Sequence, residues 1–186
     1  MKKLILFLHV SLDGFTARPD GQMDWVKIND DLFDLAQQRT EVSDTALYGR
    51  GTFELMDAYW PTAGDSPNAS KHDLEHSAWY NKVKKIVVST SLPNREDITV
   101  LRENVARQLR EIKQGEGKNI VMFGSPTLAA YLIAEGLVDD YWLFQNPVVL
   151  GRGIPFWPQT EQSSELKLIS STAFANGVVC QHYQKV

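Results

Sequence analysis

From Lys3 to Val10 the chain runs almost continuously apolar over the length of one strand, the pattern of a central strand covered on both faces. Turn-forming residues then crowd Ser11 to Gly21, with Asp-Gly at 13–14 and Pro-Asp-Gly at 19–21, which predicts a loop. The spacing of Leu32, Leu35 and Ala36 predicts a helix over about 29–39, with Asn29 as its N-cap. Thr45 to Tyr48 reads as a short strand ending at Gly49-Arg50-Gly51-Thr52. A helix over Phe53 to Tyr59 follows, stopped by Pro61. After a loop over Asp65 to Ser70 comes a polar helix to about Tyr80, and Lys85 to Ser89 is a second buried strand. Val105, Leu109 and Ile112 mark an amphipathic helix ended by Gly115 and Gly117. Asn119 to Phe123 is the next strand. A helix opened by Ser125-Pro126 and closed by Gly136 follows, then a strand over Val138 to Gln145.

The last stretch changes character. Leu166 to Phe174 and Val178 to Tyr183 are strand-like runs joined through Ala175-Asn176-Gly177, and Asn-Gly between such runs signals a hairpin. Alternating strands and helices with a closing hairpin predict one α/β domain over residues 1–186. Its sheet is mixed and mostly parallel, with antiparallel strands at one edge, in a three-layer sandwich.

Composition narrows the partners. The 186 residues are 43% hydrophobic and 23% charged, enough for a real core and unlike a disordered chain. A formal net charge of −4 without a basic block argues against nucleic acid or an anionic membrane surface as partner. The single cysteine, Cys180, forms no internal disulfide and fits a reducing compartment, so a cytoplasmic location is expected. Lys2-Lys3 before an apolar run imitates a signal peptide, but His9 and Asp13 interrupt it and no A-x-A site follows. No apolar run approaches the roughly 18 residues that span a bilayer.

Two junctions carry candidate chemistry: Tyr48-Gly49-Arg50-Gly51-Thr52 and Phe123-Gly124-Ser125-Pro126-Thr127. At each, a strand ends and a helix begins, exposing unpaired amides and the positive end of the helix dipole, which favour phosphate. Glycine permits close approach of backbone to ligand, and Arg50 adds a guanidinium fork. The plain alternative is an ordinary α/β connection. Neither junction is a Rossmann G-x-G-x-x-G or a P-loop.

The motifs Ser11-Leu12-Asp13-Gly14-Phe15, Leu47-Tyr48-Gly49-Arg50-Gly51-Thr52-Phe53-Glu54 and Tyr59-Trp60-Pro61 resemble those of the bacterial dihydrofolate-reductase-like family. That family includes the reductase domain of the riboflavin-biosynthesis deaminase-reductase. Gly136-Leu137-Val138-Asp139-Asp140 and Pro147-Val148-Val149-Leu150-Gly151-Arg152-Gly153 are similar to its downstream pattern, in the same order. The resemblance implies an NADPH-dependent reductase of a small heterocycle, on a three-layer dihydrofolate-reductase-like fold, acting as a homodimer. Gly49, Arg50 and Thr52 would hold phosphates, with Arg50 near the adenosine 2′-phosphate. Ser89, Thr90, Ser91 and Leu92 would cradle the adenosine end, and Gly124, Ser125, Pro126 and Thr127 would set amides on the pyrophosphate. The family usually has Gly-Gly at this third segment, where this chain has Gly124-Ser125. The nearest named activity is reduction of 5-amino-6-(5-phosphoribosylamino)uracil; a pterin or other NADPH reductase and a non-catalytic nucleotide-binding protein are the alternatives.

On the substrate side the resemblance points to Ser11, Asp13 and Gly14. Asp13 is expected either to bind substrate or relay a proton, or else to be a turn residue bonding its own backbone. Trp25, Phe53 and Trp60 are candidates for an apolar wall against a flat ring, or for plain core. The interface of the expected dimer is placed on Val138 to Trp157, through Phe156-Trp157. His72-Asp73-Leu74-Glu75-His76 fits the H-x-x-E-H zinc pattern, but no third ligand is evident and a solvated helix face explains it more simply. His9, His182 and Cys180 read as structural.

Overall fold

In a computed structural model, which describes residues 1–157 and 163–186, eight strands form one twisted sheet. The strands are β1 (Leu4–Ser11), β3 (Ser43–Gly49), β4 (Lys84–Val88), β5 (Ile98–Leu101), β6 (Asn119–Phe123), β7 (Asp140–Asn146), β9 (Leu166–Ala173) and β10 (Val179–Lys185). Their spatial order is β5-β4-β3-β6-β1-β7-β10-β9. Pairs from β5 through β7 are parallel, and β7-β10 and β10-β9 are antiparallel, so the closing hairpin completes one edge. A second, two-stranded piece pairs β2 (Phe15–Ala17) with β8 (Ile154–Pro155).

Period-2 alternation divides the central strand between two cores. Leu4, Leu6, Leu8 and Val10 of β1 pack beneath α4 (Val105–Gln114) and α5 (Pro126–Ala134), while Ile5 and Phe7 face α1 (Asp30–Glu41), α2 (Arg50–Ala63) and α3 (Lys71–Tyr80). Helices on both faces of the sheet make three layers, as the element pattern predicts. Asn29 caps α1 as expected, its side-chain oxygen accepting from the Leu32 amide at 3.1 Å.

Three expectations give way. The helix over 53–59 extends in both directions, starting at Arg50 and running through Pro61 to Ala63. Proline forbids only the bond back toward residue 57, and burial of Ala63 together with packing of Trp60 on α3 carries the helix two residues further. The α3 histidines do not lie on a solvated face. His76 is 4% exposed with its ring 4.1 Å from that of Trp60, and His72 stacks on Phe33 at 3.8 Å. No cluster of His, Cys, Asp or Glu suited to a metal ion occurs among the described residues. Finally, Phe156 is only 1% exposed and belongs to the core under α4 and α5, so it cannot serve a dimer interface; Trp157 beside it is exposed. No helix among the described residues is long and apolar enough to cross a membrane.

Candidate active site

Strands β3 and β6 are neighbours, so the helices that follow them start side by side. β6 leaves the sheet through two successive left-handed residues, Gly124 (φ +65) and Ser125 (φ +58). Glycine adopts that conformation freely; serine does so at a cost. Ser125 is expected to cap α5, but its side chain makes no bond to that helix. Its Oγ instead accepts the Gly49 amide at 2.7 Å, stitching the two junctions together. The fit is tight: a Cβ on Gly49 would stand 2.9 Å from that oxygen.

The first turns of α2 and α5 have neither a side-chain cap nor an acidic residue. Their amides therefore remain available to an anion, and both dipoles favour one. A groove of about 450 Å³ lies over these ends, lined by Gly49, Arg50, Thr52, Ser125, Pro126 and Thr127 among others. A Cβ on Gly51 would meet nothing within 4 Å, so the backbone there lies open. At the rim, Arg50 donates from Nε to Glu54 and from a terminal nitrogen to Ser91 Oγ, both at 2.7 Å. Ser89 Oγ accepts the amides of Ser91 and Leu92, folding that segment into a turn beside Arg50. Thr90 is exposed on this turn. Leu92 joins this turn through its amide, while its side chain packs into the core. Arg102, which carries no local signal in the sequence, also holds the turn by donating to the carbonyls of Ser89 and Leu92.

The groove shares Gly51, Thr52, Ser125 and Pro126 with a second cavity of about 480 Å³. Its floor is Phe7, His9 and Phe123, and its walls come from α1, α2, α3 and residues 16–28. Leu32, Phe33, Leu55, Met56, Trp60, His72 and His76 line it, and no charged side chain among the described residues does. Burial pushes the His9 imidazole down to about 4 and His76 to about 3, and lowers His72 as well, so the three are neutral at ordinary pH.

The expected substrate residues divide. Trp60 lines this cavity; Phe53, 1% exposed, lies in the core against Tyr48, and Trp25 is buried and is not among the lining residues. The Ser11–Gly14 loop also stands apart. Ser11 Oγ accepts the Phe15 amide and donates to Asp13, and Gly14 takes a turn conformation at φ +83. Asp13 does not reach the cavity: its carboxylate accepts from Ser11 Oγ (2.7 Å) and the amides of Leu150 (3.1 Å) and Gly151 (2.7 Å). The Ser11 hydroxyl above all, and then those amides, hold its pKa below the usual carboxylate range, and the carboxylate brackets residues 150–151.

An eight-stranded mixed sheet with two anion-ready helix starts beside an apolar cavity defines a dihydrofolate-reductase-like α/β protein. More narrowly, residues 2–180 match the family described as RibD C-terminal domain, and the chain belongs to that family. The Bacillus subtilis (strain 168) protein YyaP is 32% identical over 183 residues, covering 96% of this chain and 92% of its own. A putative riboflavin biosynthesis protein from Shewanella sp. PV-4 superposes with a TM-score of 0.73 at 18% identity, over 99% of both chains. The Thermotoga maritima deaminase/5-amino-6-(5-phosphoribosylamino)uracil reductase gives 0.69 at 15% identity, covering all of this chain and 57% of that one. Dihydrofolate reductase from Enterococcus faecalis, complexed with NADP(H), gives 0.62 at 16% identity over 98% and 96%.

Proposed function

We propose that this protein is an NADPH-dependent reductase, with the cofactor's phosphates in the groove and a small heterocycle in the adjoining cavity. The observation that carries this reading is the pair of uncapped helix starts, bound to each other by Ser125 and Gly49, opening onto a groove continuous with an uncharged cavity. The residues present fit the cofactor. The first-turn amides of α2 and α5 would hold the pyrophosphate, Arg50 with the Ser89–Leu92 turn would meet the adenosine end, and the left-handed Gly124 keeps a side chain off the backbone between them. The Ser125 side chain, turned onto the Gly49 amide, is engaged away from the pyrophosphate position.

NADPH supplies a hydride when bound, and the hard chemistry is its own. The chain's part is to position and to exclude. Gly51, Thr52, Ser125 and Pro126 belong to both the groove and the cavity, so a ligand spanning the two is held across that seam. Phe33, Phe123, Met56 and Trp60 keep water from the reacting rings.

The test is calorimetric titration with NADPH, then NADPH oxidation followed at its near-ultraviolet band with a panel of pterins, pyrimidinediones and the phosphoribosyl intermediate of riboflavin synthesis. Saturable NADPH binding with turnover of one panel member is expected. A purified protein that does not bind NADPH ends this reading.

A further inference from the structure

Within the cavity one polar group has its direction fixed by the fold. His9 sits two residues before the end of the central strand and lines the cavity floor. Behind it lies Asn146, fully buried at the end of β7. The Lys27 amide donates to Asn146 Oδ1 at 2.8 Å, which settles which end of that side chain is oxygen. The amide nitrogen of Asn146 then has two hydrogens to place. One goes to the Phe144 carbonyl at 2.9 Å and the other to His9 Nδ1 at 3.2 Å. Nδ1 must therefore accept, and a neutral ring carries its proton on Nε2. No described residue bonds Nε2. His9 lines the cavity, so its ring brings there an N–H that no described residue engages, from a ring that stays uncharged.

The rest of the lining says what that donor is for. The wall is mostly Leu, Phe, Met, Ile and Trp with neutral histidines, and among the described residues no cation stands on it to meet a phosphate. Burying an anion against such a wall is costly without a charged partner. The anion-ready amides at the starts of α2 and α5 open onto the shared groove and are already given to the cofactor. We infer that the cavity takes an uncharged planar ring bearing a carbonyl on its edge, that His9 Nε2–H donates to that carbonyl, and that a phosphoribosyl substrate is excluded. This rests on the division into cofactor groove and substrate cavity. It makes His9 a specificity-determining residue of the reductase.

Three probes separate the possibilities: lumazine, which has two ring carbonyls; 2,4-diaminopteridine, the same ring system with amino groups in their place; and uridine 5′-monophosphate, a carbonyl ring carrying a ribose phosphate. Affinities are read by quenching of tryptophan fluorescence, with and without NADPH, alongside calorimetry of NADPH itself. Lumazine is expected to bind more tightly than the other two. His9→Phe should weaken it by up to about tenfold, the scale of one net hydrogen bond, and His9→Gln, which keeps a side-chain donor, should recover part of the loss. In ¹⁵N spectra of the wild type, Nδ1 of His9 should report as the acceptor and Nε2 should shift on adding lumazine. Uridine monophosphate binding as well as lumazine, or lumazine affinity indifferent to both His9 variants, overturns the inference. Absence of NADPH binding would instead strike the proposed cofactor, because lumazine affinity without cofactor reads His9 separately. If His9→Phe fails to fold, the Gln variant and the spectra still decide.

Discussion

Replacing Arg50 with alanine should cost NADPH far more than NADH. The two cofactors differ by one phosphate on the adenosine ribose, so discrimination lies with whatever meets that phosphate. Arg50 opens α2, where the dipole already favours anions. Its terminal nitrogen is tied to Ser91 in the turn expected at the adenosine end. A guanidinium grips phosphate with two parallel bonds, and hydrogen bonds to charged groups are worth about 1.5–3 kcal/mol, or roughly tenfold to a hundredfold in affinity. Two features of the structure push the expectation toward the lower end. The Arg50 side chain is 52% exposed, and Glu54 already holds its Nε. A half-exposed pair of that kind is worth only about 0–1 kcal/mol, so Glu54 yields readily but repels the incoming phosphate. Arg50→Ala should therefore weaken NADPH by about tenfold and NADH much less, and Glu54→Gln should tighten NADPH modestly. Calorimetry with both cofactors reads this directly, and the gap should narrow at high salt because the contact is exposed. Equal losses for NADH and NADPH would leave Arg50 a support of the local fold and remove the 2′-phosphate from this junction.

Ser125→Ala keeps a left-handed non-glycine residue while leaving the Gly49 amide unpaired, so denaturant unfolding should show a loss of about 1–3 kcal/mol. Ser125→Gly relieves the backbone as it breaks the bond and should lose less; a larger loss for glycine would refute this balance. Stability should fall as pH drops below about 6.5, because His9 and His76 are depressed to about 4 and 3 and the unfolded chain binds their protons first. Each contributes at most about 1.4 kcal/mol per pH unit within its window, and His76→Leu should flatten the slope between pH 6 and 4, as followed by thermal unfolding. Light scattering should return twice the 21.0 kDa chain mass, since cyclic dimers are the commonest oligomers and the resemblance implies one. A mass of 21.0 kDa at micromolar concentration would refute it.

The elements legible in the sequence were those whose signals are local. Asn29 as a cap, the apolar run of β1 and Asn176-Gly177 in the last hairpin each act through a few neighbouring residues, and the structure uses each of them in place. The three small strands β2, β5 and β8 have no such signal. β5 has four residues, with Thr99 and Val100 at least partly exposed, and β2 and β8 exist only because residues 15–17 and 154–155 meet across the chain. Pro61 misled for the opposite reason: its local veto is real, but tertiary contacts at Trp60 and Ala63 outweigh it.

The same distinction divides the site. The two junctions were readable because glycines and helix starts are written in consecutive residues, whereas the cavity is assembled from α1, α2, α3, the start of α5, strands β1 and β6, and residues 16–28. Phe53 and Trp60 stand seven residues apart, two turns along one face of α2, and nothing in the spacing separates them. What separates them lies opposite: Tyr48 against Phe53, His72 and His76 against Trp60. Asp13 drew attention as an acid in a matching loop, but three donors already satisfy it. His9 looked like a polar residue buried in a strand, and one of its nitrogens is spent that way on Asn146. A histidine has two, and with the second carrying the proton in a cavity that no charged side chain lines among the described residues, His9 is the donor we infer. That chemistry is invisible until Asn146, 137 residues away, is placed behind the ring.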